Sequence, residues 1–201
     1  AGERYGAQQL FTDVDTFFAQ AEVDAVIIGS PVWAHSETTI RASRAGKHVL
    51  CEKPMARTPA ECDAMIAACR DAKVVLMVGF MKRFNKCFGR VAELIRQGTL
   101  GDVFQVRALW SFLTPQCGWR DSLRTWGGVY QDHGSHAIDL CRWWLGEIDT
   151  VHAEIDIVDP AEREVEDRAV ATFRHRSGRG SPASRGRHRS PGPRSDTYRE
   201  R

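Results

Sequence analysis

The chain has 201 residues, 28 Lys and Arg against 26 Asp and Glu, 42% apolar and 27% charged, an ordinary globular composition that excludes a collagen, a coiled coil or a wholly disordered polymer. The net charge of +2 hides an asymmetry, because residues 174–201 carry nine Arg against Asp196 and Glu200 and the body before them is mildly acidic; a nucleic-acid or membrane footprint would be confined to that tail. No apolar run approaches the roughly 18–20 residues needed to cross a bilayer and no secretory pattern opens the chain, so no membrane partner and a cytoplasmic location are expected.

The chain starts at Ala1 without a Met and in mid-pattern, and a missing amino-terminal piece is expected. Val23 to Gly29 is a continuous apolar stretch of the kind buried on both faces, stopped by Ser30-Pro31, and fits a parallel strand. Residues 34–45 suit a helix, closed by Gly46 where a left-handed residue belongs, and Lys47 to Glu52 reads as strand again. Thr58-Pro59-Ala60-Glu61 combines a cap, a first-turn Pro and a third-position Glu, opening a helix to about Ala72, and Val74 to Phe80 is a third apolar strand. Three strands with a helix in each gap imply right-handed crossovers on a doubly wound parallel sheet, half of a nucleotide-binding fold.

Beyond Phe80 a helical stripe, Val91, Leu94 and Ile95, runs to Gly98, and Val103 to Phe112 reads as a long strand. After a Gly- and Pro-containing loop, Ala137, Leu140, Cys141, Trp144 and Leu145 form the apolar stripe of a helix that stops at Gly146. Strands near 149–158 and 165–173 complete an α+β second domain. The expected division is thus residues 1–80, 81–173 and a tail, 174–201, whose Arg, Ser, Gly and Pro cannot offset the entropy of ordering. That tail is either a phosphate-gripping arm or, as its abrupt change of composition indicates, inert sequence of the kind a reading-frame error produces. The six cysteines lack any Cys-x-x-Cys pair and read as reduced core thiols.

Candidate chemistry lies in three places, all at strand ends or loops. Ser30, Pro31 and His35 follow the first strand's carboxyl end, where open α/β sheets bind ligands and a helix amino end favours a polar or anionic group; His35 as a surface residue near a cap is the alternative. Glu52 and Lys53, followed by Pro54, sit at the next strand's carboxyl end. There a lysine is partly desolvated or holds a substrate oxygen, unless the two form a solvated ion pair. The third is Gly127 to Asp139, where Asp132 and His136, four apart, can face one side of an opening helical turn. The helix amino end would keep Asp132 ionised and His136 neutral, a proton-relay set; Asp132 as an N-cap and His136 as a satisfied half-buried histidine are the alternatives. Asp132, His133, His136 and Asp139 are metal-ligand types, but no further cluster supplies the missing ligands and no metal is expected. A P-loop, a nucleophile elbow and GxGxxG are all absent.

The ordered set Ala45-Gly46-Lys47-His48-Val49-Leu50-Cys51-Glu52-Lys53-Pro54, Gly79-Phe80 with Arg83-Phe84-Asn85, Trp119-Arg120, and Gly127-Gly128 with Asp132-x-Gly134-x-His136-x-x-Asp139 resembles the glucose-fructose oxidoreductase, inositol dehydrogenase and MocA family over about residues 5–173. The resemblance implies an NAD- or NADP-dependent oxidoreductase acting on a sugar, cyclitol or related alcohol, with a partial Rossmann-like domain followed by an α+β domain carrying a mainly antiparallel sheet. It implies Lys53 as catalytic lysine and Asp132 with His136 as the substrate-binding and proton-transfer pair. It places Ser30, Pro31, His35, Glu52 and Lys53 at the nicotinamide half of the cofactor, with Trp119 and Arg120 touching it in some members. A homo-oligomer is expected at full length, with a small polyol or sugar and no nucleic acid as partner. The family's opening strand, glycine-rich turn, helix and acidic-ended second strand have no counterpart here, and the second sheet stops early. A fragment with impaired activity is therefore expected. The alternatives are a cofactor-less carbohydrate- or partner-binding descendant and, within the family, a lyase or glycosidase using transient oxidation.

Overall fold

The computed structural model describes residues 2–110, 122–125, 127–128, 130–158, 160–161 and 164–177. It begins with two short helices that the sequence pattern did not announce, α1 (Gly2–Tyr5) and α2 (Val14–Gln20). Asp13 caps α2 by accepting from the Thr16 backbone N–H at 2.8 Å, and the helix brings Phe17 and Phe18 onto the core.

The three apolar runs then form strands β1 (Ala25–Ile28), β2 (His48–Cys51) and β3 (Leu76–Val78), paired in parallel in the order β1-β2-β3 with Val26 beside Val49 and Val49 beside Leu76. Helix α3 (Val32–Arg44) joins β1 to β2 and α4 (Pro59–Asp71) joins β2 to β3, as the spacing requires. The expected caps are in place. Gly46 takes φ +71° after α3, and Thr58 Oγ1 accepts from Glu61 N at 3.2 Å to open α4.

Both crossover helices serve one face of the sheet. Val26, Ile28, Val49 and Cys51 point to it and meet Ala42 of α3 and Met65 of α4, the last fully buried. Burial raises the Cys51 thiol to about 11, in keeping with an inert core thiol. The opposite face is open: Ile27 is 76% exposed and Met77 43%. The expectation that the first strand is buried on both faces fails here because no described element covers that side.

A 3-10 turn (Met81–Phe84) and helix α5 (Lys86–Arg96) follow β3. The long strand expected from Val103 does not form over residues 103–110, which have no regular structure, and its last two residues, 111 and 112, lie outside the described set. After a 3-10 turn at Leu123–Thr125, a π-helical turn (Tyr130–Gly134) leads into α6 (Ser135–Leu145), whose Leu140 and Leu145 are buried and whose Trp144 meets Phe88 of α5. Strands β4 (Ile148–Asp156) and β5 (Arg168–His175) form an antiparallel pair. Strand β5 runs past the expected tail boundary at residue 174. His175 is 2% exposed and its Nδ1 lies 2.7 Å from the Gly146 carbonyl, while Ser177 Oγ donates to the Leu145 carbonyl at 3.0 Å. Two of the helix-end carbonyls of α6 are thereby satisfied by residues assigned from composition to the tail. The rest of that tail lies outside the described residues.

The two faces of the parallel sheet predict different sensitivities. Met65→Ala should lower stability by about 2–5 kcal/mol, as large-to-small changes in a sealed core do, whereas Ile27→Thr on the open face should stay within about 0.5 kcal/mol of the parent. Urea unfolding of the two variants reads both, and equal losses would contradict a one-sided core.

Candidate active site

The carboxyl ends of β1 and β2 open onto a cleft of about 370 Å³. Ser30 and Pro31 reach it from the β1–α3 turn, His35 from the first turn of α3, Glu52 and Lys53 from the end of β2, and Asp132 from the π-helical turn far along the chain. Six of the nine residues singled out from sequence thus share one cavity. His136 sits one turn farther along α6, Trp119 and Arg120 lie outside the described residues.

Lys53 is the junction. Its ammonium donates to the Asp132 carboxylate in a close ion pair and to the Asp132 carbonyl at 3.0 Å, both side chains being only 16% exposed. The solvated Glu52–Lys53 pair is therefore not formed. Glu52 instead turns its carboxylate back to accept from the Lys53 backbone N–H at 3.1 Å and lies against Gly79. The Lys53–Pro54 peptide bond is cis.

His35 is no surface residue. It is 1% exposed, with Nδ1 2.9 Å from the Pro54 carbonyl and Nε2 2.7 Å from the Ser30 carbonyl. The ring braces the turn after β1 against the turn after β2, and both nitrogens face backbone oxygens rather than the cleft. Beside it the Ser30 Oγ is buried with no partner among the described residues, a hydroxyl left for something in the cleft to meet.

Asp132 does not cap α6. The N-cap position is Gly134, which has no side chain to offer, and a Cβ there would press on the Tyr130 ring. Asp132 belongs to the π-helical turn, a rare feature that is frequent at functional sites. Its carbonyl also accepts from Ser135 Oγ at 2.9 Å, and His133 Nε2 stands 3.5 Å from its second carboxylate oxygen.

His136 is 6% exposed, its Nδ1 has no partner among the described residues, and its ring stacks on Trp110 at 6.1 Å between centroids. Burial first, then the Lys53 and Lys82 charges, lower its pKa from 6.5, and Asp132 only partly opposes them. The neutral form expected from the sequence is thus favoured, but by burial and neighbouring cations rather than by the helix end. Lys82 lies 5.5 Å from the other ring system's centre, over Trp110.

Sequence reasoning missed two supports. Arg83 donates from Nε and Nη2 to Asp139 at 2.9 and 2.7 Å, fastening the turn after β3 to the α6 face behind His136; the motif contained both residues but not their pairing. Glu166 accepts from the Tyr130 and Gln131 backbone N–H groups at 3.0 and 3.3 Å, and nothing in its sequence surroundings marked it. Among the described residues no three of His, Cys, Asp and Glu gather as a metal site, and no helix is long and apolar enough to cross a membrane.

Comparison with known proteins identifies the family of the chain. Residues 1–80 match the family profile described as oxidoreductase family, NAD-binding Rossmann fold, and residues 88–191 match the GFO/IDH/MocA C-terminal domain. Myo-inositol 2-dehydrogenase of Thermotoga maritima is 31% identical over 182 residues, 88% of this chain and 53% of that protein. Levoglucosan dehydrogenase of Pseudarthrobacter phenanthrenivorans is 32% identical over 159 residues, 76% of this chain and 41% of that protein. Among solved structures, the WlbA dehydrogenase from Bordetella pertussis, in complex with NADH and UDP-GlcNAcA, superposes with a TM-score of 0.79 at 30% identity, covering 90% of this chain and 53% of that one. The chain spans about half the length of the first of these relatives and of that solved structure. With a cleft at the carboxyl ends of its parallel strands and matches to the family's NAD-binding and C-terminal domain models following one another along the sequence, this chain is a member of the Gfo/Idh/MocA oxidoreductase family.

Proposed function

We propose that the chain carries the reacting centre of an NAD- or NADP-dependent oxidoreductase that moves a hydride between a hydroxyl carbon of a sugar, cyclitol or related polyol and nicotinamide. The observation that carries this reading is the Lys53–Asp132 pair at the mouth of the cleft with a buried, neutral-leaning His136 one helical turn away. The residues present fit the nicotinamide side of such a cofactor. Ser30 offers an unpartnered buried hydroxyl there, and Pro31, Glu52 and the His35-braced turns wall the cleft; Trp119 and Arg120 join them by family position alone. A bound nicotinamide would supply the hydride acceptor.

Within that frame His136 accepts the proton of the substrate hydroxyl, as a neutral imidazole can. Lys53 donates a hydrogen bond to the same oxygen and stabilises the negative charge that grows on it as the proton leaves. Asp132 keeps the ammonium aimed by holding it from two sides, through carboxylate and carbonyl. Relatives that act on inositol and levoglucosan support a polyhydroxylated substrate. The division at residue 80 and the end of the second domain near 173, a cytoplasmic location and a homo-oligomeric full-length form belong to the same reading. The last is supported by apolar residues exposed on both sheets, among them Ile27, Val151 and Val170.

Calorimetric titration of the folded chain with NADH and NADPH tests the cofactor, with a binding isotherm for one of them expected. No isotherm from a folded chain would mean that the family's glycine-rich turn, which has no counterpart in this sequence, is required for binding, and only a chain supplied with that segment and still not binding would favour the binding-only descendant. In protein that turns over a polyol, Lys53→Ala should lower kcat/KM by about 10²–10⁴-fold, the range for loss of an acid–base or polarising group, and unchanged turnover would refute the assignment. His136 adds a pH signature. Its folded titration lies below 6.5, so between the folded and unfolded values the unfolded chain binds more protons and stability rises with pH. That contribution is complete above about 6.5 and disappears as pH falls through the folded value. Urea midpoints measured from pH 7.5 down to 5 should fall less steeply in His136→Gln than in the parent.

A further inference from the structure

The connection entering β5 grips the turn that carries Asp132. Val165 is 2% exposed and anchors it. On one side Glu164 accepts from Ser122 Oγ at 3.0 Å, and on the other Glu166 Oε1 accepts from the Tyr130 and Gln131 N–H groups at 3.0 and 3.3 Å. These two amides open the π-helical turn and have no earlier carbonyl of their own turn to bond. Gly128 makes the approach possible. It holds φ +125°, and a Cβ there would overlap the Glu166 carboxylate, so the acid occupies the space a side chain would fill. The Gly128 carbonyl in turn accepts from Asp132 N at 3.0 Å. The acid, the glycine and the amides therefore form one closed unit that ends at the residue paired with Lys53.

We infer that Glu166 is the positioning residue of this site. It lines no part of the cleft and acts through the backbone, fixing the turn that sets the Asp132 carboxylate on Lys53 and starts α6 so that His136 comes to lie beneath Trp110. The inference rests on the oxidoreductase reading for the roles of Asp132 and His136, and on the hydrogen bonds alone for the role of Glu166. A negative charge at the opening of a helical turn is also the favourable sign there.

The test is amide hydrogen exchange by NMR together with titration of the His136 imidazole, on the chain itself, in the parent, Glu166→Ala and Glu166→Gln. In Glu166→Ala, exchange at residues 130–136 should accelerate about tenfold or more, the scale of a lost charge-assisted hydrogen bond, while β1, β2 and β3 exchange as in the parent. The His136 midpoint should rise toward 6.5 as the ring loses its packing; the groups facing it, Lys53, Lys82, Asp132 and His133, are the same in all three proteins. Glu166→Gln keeps an acceptor without the charge and should fall between the two. Parent-like exchange at 130–136 in Glu166→Ala, or acceleration spread equally over the sheet, overturns the inference. Should Glu166→Ala fail to fold, Glu166→Gln decides by the same criterion: acceleration confined to 130–136 supports it and parent-like exchange overturns it. Neither readout needs cofactor or turnover, so failure of nicotinamide binding would strike the proposed function and leave this result standing.

Discussion

The ion pair between Lys53 and Asp132 is the constraint on which the rest of the site depends. It joins the end of β2 to a turn 79 residues later, with both side chains 16% exposed. Desolvating two charges is costly, and such a pair is justified energetically only when its remaining valences are satisfied. Here Lys53 has a second acceptor in the Asp132 carbonyl, and Asp132 has His133 beside its other oxygen. Removing either partner would strand a charge in a largely buried place, and the turn that carries Asp132 is itself tied, by the Glu166 carboxylate at its opening and by α6 at its end. The bidentate Arg83–Asp139 contact repeats the design one helical turn deeper. Two charge-assisted ties thus fasten the parallel sheet to α6, and the cleft lies beside the first of them.

Much of this was legible where the controlling physics is local. Thr58 with Pro59 and Glu61, Gly46 and Gly146 mark helix ends because capping depends on residues a few positions apart, and the three parallel strands announce themselves as apolar runs. What escaped notice is set by partners distant in the chain. Residues 103–110 have the composition of a strand, but with no strand among the described residues paired to them they remain irregular. His175 reads as part of a polar tail until the free carbonyl of Gly146 is placed next to it. His35 reads as exposed until the carbonyls of Ser30 and Pro54 are seen to flank its ring. The short α2 helix was missed for a different reason: seven residues carry little periodicity, and its aromatic pair makes sense only against the core it covers.

Six of the residues singled out from the sequence gather at one place in the structure, while the way they are assembled was less legible. Ser30, Pro31, His35, Glu52, Lys53 and Asp132 do meet at one cleft, because strand ends and the loops after them converge in a parallel α/β sheet. The partners within that set were not legible. The sequence neighbours Glu52 and Lys53 invite pairing, yet Lys53 turns to the residue that shares its low-dielectric corner and Glu52 folds back on the backbone. The neutrality of His136 was expected from the helix end and arises from burial and two lysines.

The one-sided sheet has a thermodynamic consequence. With α3 and α4 on the same face, Ile27 stays largely and Met77 partly in water in the folded chain, so unfolding exposes less new apolar surface than a sheet sandwiched between helices would. The heat-capacity increment of unfolding tracks that newly exposed surface. This chain should therefore have a shallow stability curve and a small denaturant dependence, even where its folded contacts are well made.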